Sequence, residues 1–126
     1  MKALPDTNGF TLIEILIATV IITVASLGVA SLTVGIIRGN AFSKRLTTAT
    51  ILVQDRLEEI KRLGYSKAGT AVGTENYGTI ANFNGYKRVI SVDADTPAPN
   101  MKKINVSVYW RGYDKPAANV STILSE

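Results

Sequence analysis

Neither cysteine nor histidine occurs anywhere in the 126 residues. Without cysteine there is no disulfide framework, so a place outside the cytoplasm has to be argued from other features. Without either residue the usual zinc and iron–sulfur ligand sets are excluded, as is every triad that depends on an imidazole or a thiolate. No nucleophile–base pair and no phosphate-cradling glycine loop is found in what remains. The sequence therefore offers no chemistry for an enzyme and calls for no cofactor. Its length allows one small domain and leaves no room for a second core.

Charge is missing from one stretch in particular. Residues 15–37 carry no Asp, Glu, Lys or Arg and no proline, whereas the rest reads as ordinary soluble sequence. At about 1.5 Å per residue such a helix crosses a hydrocarbon core of about 30 Å with some tilt. Gly28, Gly35, Ala18 and Ala25 give it small side chains that let other helices approach closely. The net charge is +4, with basic residues in pairs such as Lys61-Arg62 and Lys87-Arg88. Such pairs read as a solvated surface, and no nucleic-acid partner is expected.

Residues 1–9, MKALPDTNG, are polar and broken by Pro5 and Gly9, and they read as a leader. The apolar helix fills residues 10–37. Phe42, Leu46, Ala49, Val53, Leu57, Ile60 and Leu63 then fall at steps of three and four, one stripe of a continuing helix. Glu58 and Arg62 are spaced for an i,i+4 pair. Gly64 suits the position just past the helix end, and Gly39-Asn40 is the point where the helix is weakest. The spacing predicts a helix from about residue 10 to residue 63.

Residues 64–85 are rich in Gly, Thr and Asn and read as a long loop, with short extended pieces around residues 77–83. Period-two alternation marks strands at residues 86–92, 103–111 and 119–124. Ile104, Val106, Val108 and Trp110 share one face of the second. Three short antiparallel strands need a cover, and the stripe from Leu46 to Leu63 is the one available. The expected fold is α+β: a long N-terminal helix packed on a small antiparallel sheet, with residues 38–126 as the globular part. Asn105-Val106-Ser107 and Asn119-Val120-Ser121 fit the glycosylation pattern but fall in strands. Asp93 and Asp95 fall in a turn-rich segment where Asp is common.

The informative segment is Gly9-Phe10-Thr11-Leu12-Ile13-Glu14. Gly9-Phe10 joins the polar leader to the membrane-competent helix, and Glu14 is a carboxylate at the head of a charge-free span. A charge costs about 2.5–3.5 kcal/mol at the centre of a membrane helix and less near its end. Two readings of Glu14 are open: an interfacial residue favouring the helix N-terminus, or a functional charge.

GFTLIE followed by an apolar helix resembles the prepilin family, the type IV pilins and the pseudopilins of type II secretion. The resemblance implies cleavage after Gly9 by a prepilin peptidase, N-methylation of Phe10, and a part for Glu14 in assembly with other pilin or pseudopilin subunits. It also implies a single-pass inner-membrane form that later enters a periplasmic filament or a surface pilus. LVQDRLEEIKRLGY, VISVDADTPAPNMKKINVSVYW and the VSTIL ending are similar to minor pilins of the type IV pilus modification group, and also to one minor pseudopilin class. The missing proline in the apolar half and the missing cysteines depart from many major pilins. The competing class is an exported soluble binding protein, with Lys2 in a signal peptide cut near Gly28-Val29-Ala30. Glu14 and the length of the apolar run argue against it.

Overall fold

The computed structural model describes residues 9–126. The chain divides into two units, the first ending at Asn40 and the second running from Ala41 to Glu126. Of the expected leader, residues 1–8 lie outside the described residues. One α-helix, α1, runs Leu12–Leu63 and contributes to both units. It continues without a break through Gly39-Asn40. It begins two residues later than the apolar pattern, because Thr11 stays outside it. At the other end Gly64 takes φ +78°, a left-handed conformation that glycine adopts without penalty, and its N–H donates to the carbonyl of Lys61 at 3.1 Å.

In the first unit α1 is exposed along its whole described length, apolar side chains included. It is the one helix among the described residues long and apolar enough to cross a membrane.

The second unit is the expected helix on sheet, with one strand more. A single-turn 3-10 helix, Ala68–Ala71, follows α1 and buries both of its alanines. Then come β1 Gly73–Glu75, β2 Tyr86–Ala94, β3 Met101–Trp110 and β4 Ala118–Ser125. They form one antiparallel sheet in the order β1-β2-β3-β4. The extended piece expected at residues 77–83 is instead a set of turns, and the extra strand lies earlier, at Gly73–Glu75. Three residues are too few for alternation to register in the sequence.

Ala49, Leu52, Val53, Leu57 and Ile60 of α1 meet Ile90 of β2 and Ile104, Val106 and Val108 of β3. Leu52 was not on the expected stripe. Phe42, Leu46 and Leu63 were, yet they remain exposed. Phe42 instead sets its ring edge-on against Trp110, centroids 5.4 Å apart at 83°. Glu58 and Arg62 form no ion pair. Arg56 and Glu59, three residues apart, form one at 2.5 Å.

One basic residue departs from the solvated-surface reading. Arg88 is buried, because it shares the inward face of β2 with Tyr86, Ile90 and Val92. Its Nε donates to the Glu75 carboxylate in β1 and its Nη1 to the carbonyl of Leu52 in α1. The β2–β3 turn is held by Asp95, whose Oδ1 accepts from the Asn100 N–H at 3.2 Å, the usual work of Asp in a turn.

Candidate functional site

The site begins where α1 begins. A helix leaves its first N–H groups without intrahelical partners, and a Thr or Ser just before it, with a Glu three residues on, supplies partners reciprocally. Thr11 and Glu14 do so here. The Thr11 Oγ1 accepts from the Glu14 N–H at 3.3 Å, and Glu14 Oε2 accepts from the Thr11 N–H at 3.0 Å. The Thr11 hydroxyl also donates to the same carboxylate oxygen at 3.1 Å. The Ile15 N–H donates to the Thr11 carbonyl at 3.3 Å, the first bond of the helical ladder.

This arrangement gives the Glu14 charge local partners on one oxygen. The negative group also stands in the first turn of the helix, where the macrodipole favours it. The charge is thus held at the head of the apolar span. Thr11 was not singled out in the sequence, although the Thr-x-x-Glu spacing ahead of an apolar run carries the signal.

Gly9 and Phe10 lie immediately before this cap, outside regular structure and exposed. Neither makes a hydrogen bond among the described residues, and Phe10 is 85% exposed. A Cβ added at Gly9 would meet nothing within 4 Å. Among the described residues, then, nothing in the fold requires glycine there. The peptide bond that follows it is accessible and outside the helix.

Gly28, Gly35 and Gly39 pose the same question inside the helix. Each costs about 1 kcal/mol relative to alanine in a helix interior. A Cβ at any of them would meet open space. Ala18, Ala25, Gly28, Gly35 and Gly39 follow one another at intervals of seven, three, seven and four, which keeps them on one side of α1. Among the described residues no contact accounts for them, and small residues along one side of a helix are what lets other helices approach closely.

The remaining candidates form no second site. Among the described residues there is no group of three or more acidic, His or Cys side chains placed to hold a metal ion. Trp110 is a core residue of β3, 5% exposed and flanked by Phe42 and Tyr113. Asn105 and Asn119 both lie in strands.

Residues 5–30 match the prokaryotic N-terminal methylation motif as a protein family. No curated protein and no solved structure matches the chain. The matched segment spans Gly9, Phe10, Thr11 and Glu14 together with the apolar helix as far as Ala30. The motif at the head of the chain, followed by an apolar helix and a helix-on-sheet unit, supports a type IV pilin-like or pseudopilin subunit.

Proposed function

We propose that the chain is a minor structural subunit of a type IV pilus, cut after Gly9 by a prepilin peptidase, N-methylated on Phe10, and inserted in the filament through its apolar helix. The observation that carries this reading is the head of α1: a carboxylate held by its own cap residue, shortly after an exposed Gly9-Phe10 bond, on a helix whose apolar residues as far as Ile37 are exposed. Before assembly the lipid bilayer covers that surface. After assembly the helices of other subunits do.

Cleavage at Gly9 frees an amine on Phe10. In a filament interior of packed apolar helices, that amine and the Glu14 carboxylate of a neighbouring subunit are each poorly solvated alone. Pairing them removes two lone charges and fixes axial register, the best-attested use of a buried polar pair. The minor role, and a position in a priming or tip complex, rest on the resemblance of residues 52–65, 89–110 and 120–124 to the pilus modification group. The corresponding alternative is a minor pseudopilin of type II secretion.

The mature protein decides the processing step. Intact mass and N-terminal sequencing of the membrane form are expected to give a chain beginning at Phe10 and carrying one methyl group. A chain beginning at Ser31 would replace this reading with a conventional signal peptide and an exported soluble protein.

A further inference from the structure

The aromatic residues of the second unit are gathered at one end of it. β2 begins and β3 ends there, with Tyr86 opposite Trp110 and Lys87 opposite Tyr109. The part of α1 that enters this unit lies against the same end. The Tyr86 hydroxyl donates to the Arg45 carbonyl at 3.3 Å, and Phe42 packs edge-on against Trp110. The Tyr77 hydroxyl donates to the Trp110 carbonyl at 3.4 Å, and the Phe83 ring lies 6.3 Å from that of Tyr86. In the β3–β4 turn Tyr113 sets its ring 5.0 Å from Trp110. Of the unit's aromatic residues only Tyr65 lies at the other end, where its carbonyl accepts from Lys102.

Core packing explains Trp110, which is buried, but not its two neighbours: Phe42 and Tyr113 are each about half exposed. Cations stand beside them. Arg45 and Arg111 line one open cleft of about 160 Å³ together with Gly85, Tyr86 and Trp110. Neither has a carboxylate partner among the described residues, where both ion pairs belong to other arginines. Arg111 is held over the Tyr77 ring at 5.5 Å, a contact that consumes no N–H donor. Lys115 follows in the same turn. Asp114 is the acid beside them, since Glu75 is turned to Arg88. Position along the chain says what this end meets. Phe42 comes five residues after Ile37, the last of the charge-free stretch. Five residues reach at most about 18 Å even at full extension. Once the apolar stretch crosses a bilayer, this aromatic and basic end is tethered within reach of the head groups.

We propose that this end is a lipid-docking face, and that its partner is anionic phospholipid of the bilayer that holds the apolar helix. Phe42 and Tyr113 enter the boundary between head groups and acyl chains, the depth that aromatic side chains favour. Arg45 and Arg111 receive a lipid phosphodiester in the cleft they line, the charge-assisted pairing that a guanidinium suits. Docking holds the second unit down on the membrane until the subunit is drawn into a filament. The proposal rests on the membrane reading of residues 15–37 and on no particular cleavage site.

The absence of cysteine makes the test direct. The full chain carries Pro116→Cys beside the face, or Pro99→Cys in the β2–β3 turn at the other end, and is labelled there with a fluorophore. It is reconstituted in vesicles of phosphatidylcholine with or without phosphatidylglycerol, both doped with a lipid spin-labelled at its head group. With phosphatidylglycerol, quenching at residue 116 should exceed that at residue 99 severalfold. Each arginine near an anionic surface contributes about fivefold to the docked-to-undocked ratio. Arg45→Gln with Arg111→Gln should therefore lower that ratio about 25-fold and bring residue 116 close to its value in phosphatidylcholine alone. Lys61→Gln with Arg62→Gln removes the same charge at the far end of α1 and should change nothing. Equal quenching at residue 116 with and without phosphatidylglycerol would overturn the proposal. So would full quenching in the folded double variant of Arg45 and Arg111. The comparison of lipids needs no substitution in the face, so it decides even where that variant does not fold. Either adverse result, in chain that floats with the vesicles after an alkaline wash, leaves the membrane reading standing. Chain that does not float removes that reading and the docking with it.

Discussion

Arg88 in β2 donates from Nη1 to the backbone carbonyl of Leu52 in α1, 2.9 Å away, while its Nε holds the carboxylate of Glu75 in β1. One buried guanidinium thus ties the helix to two strands. A cation with the exposure of Arg88 is tolerated only where its donors find acceptors, and both acceptors come from elements distant in sequence.

Removing the counter-charge should therefore cost more than an ordinary surface pair. Glu75→Gln leaves a buried arginine with one neutral partner in place of a carboxylate. The expected loss is about 1 kcal/mol in unfolding free energy, roughly the difference between a hydrogen bond to a charged acceptor and one to a neutral acceptor. Arg88→Met, which removes the buried charge itself and keeps much of the volume, should lose less than Arg88→Ala. Chemical denaturation of the three variants gives the order.

The same pair sets a pH dependence. The hydrogen bond from Arg88, with its positive charge, holds the Glu75 carboxyl below its ordinary 4.5, against a smaller opposing effect of burial. A carboxylate depressed in the folded state contributes stability that is complete above its unfolded value and is lost as pH falls through the folded value. The midpoint of thermal unfolding should thus fall below about pH 4.5 in the native chain. In Glu75→Gln the part of this slope due to Glu75 should be missing.

The second unit contains its own core, whose first buried residue along the chain is Ala49. A chain starting at residue 38 should fold cooperatively. A chain starting at residue 65 should not, because Leu52, Val53, Leu57 and Ile60 would leave Ile104, Val106 and Val108 uncovered. Within the longer chain Ile60→Ala should cost about 2–5 kcal/mol, since the side chain is fully buried. Thermal melts of the two fragments and the variant check all three statements.

What the sequence disclosed followed the strength of its periodicities. The stripe through Ala49, Val53, Leu57 and Ile60 and the alternation through Ile104, Val106 and Val108 each repeat often enough to identify an element and its inward face. Gly73–Glu75 repeats nothing. It is a strand only because β2 lies beside it. Arg88 was hidden by chemistry rather than by pattern. Alternation puts it with Ile90 and Val92, but an arginine next to Lys87 looks like surface until its acceptors on α1 and β1 are in place. Phe42 and Leu46 failed as core predictions for a related reason: periodicity gives the side of a helix, not how far the sheet extends beneath it. At the head of the chain Glu14 was legible as a misplaced charge. The hydrogen bonds from Thr11 are three-dimensional, and only the Thr-x-x-Glu spacing announced them.

Those bonds allow the two readings of Glu14 to be separated. If the carboxylate serves only to cap α1, Thr11→Val and Glu14→Gln should have similar and small effects. Either one disturbs a cap whose loss costs about 0.5–2 kcal/mol. If Glu14 also meets the amine of Phe10 on a neighbouring subunit, the two variants part. Thr11→Val keeps the charge and the backbone N–H that holds it, and loses the hydroxyl that both donates to Glu14 and caps its N–H. Glu14→Gln keeps an acceptor for the Thr11 N–H and loses the charge. Insertion in the membrane should be intact in both, and slightly easier for the neutral amide. Incorporation in filaments should fall far more in Glu14→Gln, because a buried amine left without its counter-charge typically costs about 3–5 kcal/mol. Glu14→Asp should be intermediate, with the charge kept and the reach shortened. The measurement is the amount of the subunit in sheared filaments relative to the amount in the membrane fraction. Equal incorporation of Thr11→Val and Glu14→Gln would reduce Glu14 to a helix cap.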